Sequence, residues 1–134
     1  MVNSGNQDVY VPETARIVRS AQMTKLEKYF EIELESGKSL GHAPGQFVEV
    51  SLPGIGEAPI SVSSAPNENG SFDLVVRKVG RLTEFMHDLP DNSRIGIRGP
   101  FGTSFPVTDE LQGKDVAFVC GGIVLAPVHS AIDY

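Results

Sequence analysis

From Tyr29 to Glu35 apolar and acidic residues alternate one by one, with Phe30, Ile32 and Leu34 on one side of an extended chain and Glu31, Glu33 and Glu35 on the other. A period of two is that of a strand with one face in a core and one in water. Thr14–Met23 leans the same way, and Gln46–Leu52 places Phe47, Val48, Val50 and Leu52 in a third strand. In a fifth, Phe72, Leu74 and Val76 alternate with Asp73, Val75 and Arg77, and Ser93–Arg98 makes a sixth. Between them lie turn clusters at 36–38, 42–45, 53–56, 66–70 and 91–92, each holding Gly, Pro, Asn or Ser where the chain must reverse. Leu82–Leu89 carries helical spacing and stops at Pro90. The remaining extended piece, Ala58–Ser64, opens at Pro59, which a sheet holds only at a strand start, an edge or a bulge. Six short strands and one short helix predict a mainly β fold, a six-stranded antiparallel Greek-key barrel.

The pattern changes near Phe105. A polar connector, 106–114, leads to the unbroken apolar run Val116-Ala117-Phe118-Val119-Cys120, then Gly121-Gly122, then a helical stretch Val128–Tyr134. A buried strand entering a glycine turn and a helix is the first βα unit of a Rossmann-like nucleotide-binding sheet. One such unit cannot bury both its faces, so the domain is expected to be truncated here. The predicted organisation is a flexible leader at 1–13, a barrel at 14–104 and the start of a nucleotide-binding domain at 105–134. An apolar strand without its sheet predicts self-association or a covering partner.

Composition narrows the chemistry. A formal charge of -6 argues against nucleic acid, whose phosphates call for a basic surface. With a single cysteine, Cys120, the chain alone makes no disulfide, iron–sulfur cluster or structural zinc site, and no metal site is expected. His42, His87 and His129 have no ligand spacing and are expected at the surface or on a helix. No segment reaches the ~20 apolar residues of a membrane span and no export signal is visible, so a cytoplasmic protein is expected. Paired carboxylates and serine–histidine constellations are absent from the pattern, so no side chain is assigned as catalytic.

Two stretches offer a binding site. In Ala58-Pro59-Ile60-Ser61-Val62-Ser63-Ser64 small hydroxyls replace bulk along an extended strand, which suits a flat ligand. Gly80-Arg81-Leu82-Thr83 feeds a glycine turn into a helix start, whose unpaired amides favour an anion. A ligand with a flat ring system and a phosphate would use both.

In this order, a barrel followed by APISVSS, VGRLT, RGPFG and VCGGIVLAP resembles the ferredoxin-NADP reductase superfamily. It is most similar to the electron-transfer subunits of sulfhydrogenases and related hydrogenases, anaerobic sulfite reductase and dihydroorotate dehydrogenase. The resemblance covers about residues 14–134 and implies FAD on the barrel, NAD(P)H on a following domain and an iron–sulfur or catalytic subunit as partner. It places the flavin ring along Ala58, Pro59, Ile60 and Ser61, with Ser63 beyond. Val75, Val76 and Arg77 would run beside the ring and ribityl chain, Gly80, Leu82 and Thr83 would hold the phosphates, and Gly121 and Gly122 would enter the NAD(P) turn. The chain departs from the pattern in three places: Ala58 stands for a phosphate-gripping arginine, Ile60 for a stacking tyrosine and Val124 for a glycine. Arg77 and Arg81 are the nearest replacements for the missing cation. The resulting expectation is an electron-transfer subunit relaying electrons between NAD(P)H, FAD and an iron–sulfur partner. The alternative is a docking module of a redox complex that has lost its cofactors.

Overall fold

The computed structural model describes residues 10–134. The expected leader lies mostly outside the described residues; Tyr10 and Val11 are exposed, and the first strand, β1, spans Glu13–Gln22. It is followed by β2 (Glu27–Leu34), β3 (Phe47–Leu52), β4 (Gly56–Ser61), β5 (Ser71–Arg77), α1 (Arg81–His87) and β6 (Arg94–Phe101). The six strands form one antiparallel sheet in the order β4-β3-β6-β1-β2-β5. An antiparallel bridge between Val62 and Leu74 brings the two end strands together and closes the barrel.

Alternation decides which side chains enter. Phe30, Ile32, Val48, Val50, Leu74 and Val76 are fully buried, with Phe72 at 1% exposure, while Tyr29, Glu31, Asp73 and Val75 point the other way. The outward glutamates are not simply solvated: Glu31 pairs with Arg19 at 2.7 Å, Glu33 with Arg16 at 3.3 Å and Glu35 with Arg94 at 2.7 Å. Such exposed pairs each contribute at most about 1 kcal/mol, so the closed apolar core dominates.

Pro59 does not start its strand as the sequence suggests. It lies within β4, opposite Glu49, and β4 is the end strand of the sheet, where a missing amide leaves no ladder bond unmade. His42 is buried with its Nε2 donating to the Ser64 carbonyl at 2.9 Å, not at the surface, and His87 is a buried helical residue whose Nε2 donates to the Val76 carbonyl at 2.8 Å.

The larger correction falls after the barrel. Val116–Cys120 is not a strand: the run is irregular, Val119 is 96% exposed and Cys120 is half-buried. An apolar sequence becomes a sheet strand only where a neighbour takes its amides, and no strand of the barrel pairs with it. A short 3-10 turn (Gly122–Val124) and α2 (Leu125–Ile132) follow, the helix beginning three residues earlier than the sequence pattern indicates. This segment returns to the barrel. Gly45 adopts φ +96°, and a Cβ there would lie 2.9 Å from the Phe105 ring, so glycine lets the connector seat itself. The Phe105 amide donates to the Pro44 carbonyl at 2.7 Å, and on α2 the His129 ring donates to the Ser63 carbonyl at 3.0 Å.

Candidate flavin site

The Val62–Leu74 bridge sets the register of the β4–β5 seam: Ser61 lies across from Val75, and Ser63 across from Asp73, whose carbonyl accepts the Ser63 amide at 2.9 Å. Val62 and Leu74 face the core, so these four residues share the outer face. The three serines on the seam have different duties. The Ser63 hydroxyl donates to the Asp73 carbonyl at 3.1 Å and the Ser64 hydroxyl accepts the Asp73 amide at 2.9 Å, so both stitch the barrel shut. The Ser61 hydroxyl has no partner among the described residues. Ala58 and Ile60 lie half-buried against the core, and Pro59 is exposed.

Past β5 the chain reaches α1, which lies beside both β4 and β5. The helix that carries the predicted phosphate site thus packs against both strands of the predicted ring site. The Thr83 hydroxyl accepts the amides of Val79 and Gly80, both at 2.9 Å, and donates to the Gly80 carbonyl at 2.9 Å. Thr83 shapes the turn, and the first-turn amides of Arg81, Leu82 and Thr83 have no acceptor within the helix. Gly80 is extended, a shape any residue can adopt, and a Cβ there would touch nothing. The chain's own packing does not require glycine at 80, which is exposed and opens to solvent.

The structure divides the other predicted residues. Val76 and Leu82 have buried side chains that belong to the core, so only their backbone can face a ligand. Arg77 is held by Glu27 at 3.1 Å, whereas Arg81 is exposed and makes no ion pair among the described residues. Ser63, Val75 and Gly122 meet in a cleft of about 480 Å³ between the barrel and the returning segment; Gly121 does not line it. Such a volume is within the ordinary range for small-molecule sites.

Sequence reasoning missed Tyr29, Asp73 and His129, which also line this cleft. The Tyr29 hydroxyl donates to Asp73 at 2.8 Å. Burial, then this bond, raises the Tyr29 pKa to about 12, and burial is also the main cause that raises the Asp73 carboxyl above its usual range. The signal for Tyr29 and Asp73 was their phase: both occupy outward positions of strands whose inward positions were correctly read. Among the described residues no group of metal-ligating side chains occurs and no helix is long and apolar enough to cross a membrane.

A face that pairs an unclaimed hydroxyl and an apolar strip with a helix start suits a flat ring joined to phosphate. Residues 14–105 match the family described as the oxidoreductase FAD-binding domain, and the chain belongs to that family. The gamma subunit of sulfhydrogenase 1 from Pyrococcus furiosus is 36% identical over 132 residues, covering 96% of this chain and 45% of its own. A probable dihydroorotate dehydrogenase B electron-transfer subunit from Methanothermobacter thermautotrophicus is 34% identical, covering 92% of this chain and 44% of its own. A cytochrome P450 reductase from Amycolatopsis superposes with a TM-score of 0.78 at 27% identity, over 90% of this chain and 37% of that one. The chain spans less than half the length of these relatives.

Proposed function

We propose that this chain is the FAD-binding part of an electron-transfer subunit that relays electrons between NAD(P)H, FAD and an iron–sulfur or catalytic partner. The observation that carries the reading is the seam: Ser61 and Val75 face each other on the outer wall, and β5 leads from them to the open turn at Gly80. FAD fits this donor set: Ser61 and Val75 would hold its ring, Arg77 would lie toward its ribityl chain and the amides of Arg81, Leu82 and Thr83 would hold its phosphates. Bound FAD takes up two electrons and releases them singly or together, which no side chain here can do.

The protein's part is positional. The Ser61 hydroxyl donates a hydrogen bond to the ring edge, Val75 shields one face from water, and Arg81 balances phosphate charge in place of the absent arginine at 58. Residues 14–104 form the flavin barrel in this reading, and 105–134 begin a nucleotide-binding unit whose turn is Gly121–Gly122. The run Val116–Cys120 pairs with strands supplied by the rest of such a unit, or with a second copy of itself. A cytoplasmic setting fits the single unpaired cysteine.

Purified protein tests the reading directly. It is expected to carry, or take up from added FAD, one flavin per chain, with a visible absorption band. A colourless protein that ignores added FAD would instead favour the docking module to which Ala58 points.

A further inference from the structure

The Tyr29–Asp73 pair lies on the same outer face as Ser61 and Val75, one strand step along, yet the phosphate and ring contacts proposed above make no use of it. From Val75 to Asp73 along β5 is about 7 Å, well within the span of a three-ring system. Asp73 offers two carboxylate oxygens, and Tyr29 takes Oδ1 at 2.8 Å. Ser63 spends its hydroxyl on the Asp73 carbonyl and His129 its ring proton on the Ser63 carbonyl, so the backbone of this corner is pinned from both sides. The rest of the cleft is mainly apolar, with Met23, Val75, Ile123 and Leu125 among its walls. A half-buried carboxylate in such a place recognises an N–H donor on a flat ligand.

We propose that Asp73, positioned by Tyr29, is the acceptor for the imide N–H on the pyrimidine edge of the flavin ring. The inference rests on the flavin reading above and adds a recognition residue to it. A carboxylate at this edge also disfavours the negative charge that the ring gains on reduction, so Asp73 would hold the bound flavin's reduction potential down. The groups around it are Tyr29, Glu31 and Arg19 on β1 and β2, and His129 on α2.

The test compares FAD with N3-methyl-FAD, which lacks that proton, by fluorescence titration of the whole chain. Wild-type protein is expected to bind FAD at least about tenfold more tightly, the size of one hydrogen bond to a charged group, and D73A to lose most of this discrimination. In a separate redox titration D73N should raise the midpoint potential of bound FAD more than E33Q, which removes the same charge outside the cleft. Equal binding of the two flavins by wild-type protein would overturn the proposal, as would identical discrimination in wild type and D73A. Protein that binds neither flavin would overturn the flavin reading itself, and this proposal with it. The wild-type comparison needs no variant to fold.

Discussion

At the scale of residues, hydroxyl position and backbone openness separate the groups proposed to face a ligand from structural ones. Ser61 is unclaimed while Ser63 and Ser64 close the barrel. S61A should therefore leave thermal stability within about 0.5 kcal/mol of wild type and shift the spectrum of bound FAD, whereas S64A should lower stability by about 1 kcal/mol, as read by denaturant unfolding. At Gly80 the added methyl of G80A meets no protein atom, so the fold should be kept while FAD affinity falls. Tyr29 gives a pH dependence. Its pKa in the folded chain is about 12, above the ordinary 10, so its contribution to stability is fully present below pH 10 and is lost as pH rises through about 12. In Y29F that alkaline loss should disappear from unfolding curves measured across this range. These distinctions were partly beyond the sequence, because three serines within four residues look alike until the Val62–Leu74 bridge assigns their partners.

The elements of the barrel were legible because alternation is a local signal. Phe30, Ile32 and Leu34, or Phe72, Leu74 and Val76, have only one way to enter a core, and the structure buries all six. Truncating one of them, as in F72A, should cost about 3–5 kcal/mol, measured by chemical denaturation. The run Val116–Cys120 misled for the opposite reason: a buried parallel strand is defined by its neighbours, and five apolar residues carry no information about whether neighbours exist. The α2 docking was likewise invisible, since the His129–Ser63 and Phe105–Pro44 hydrogen bonds join positions far apart in the chain. Charge at the start of α1 is testable at this scale. R81Q should weaken FAD binding about tenfold at low salt, and R77Q less, because Arg77 is already engaged with Glu27.

For the whole molecule, the arrangement is a closed barrel with α1 beside β4 and β5 and the returning α2 segment tied to Ser63 at the β4–β5 seam. Val116, Phe118 and Val119 remain exposed. Sedimentation should accordingly show concentration-dependent self-association that V119K reduces; a monomer at every concentration would count against strand pairing in isolation. The central claim concerns where FAD lies, and amide NMR during an FAD titration reports it residue by residue. The account predicts shifts concentrated at Ser61, Val75, Gly80, Arg81, Leu82 and Thr83, saturating at one equivalent. Shifts gathered instead on β1 and β6 away from the seam, or none at all, would contradict it.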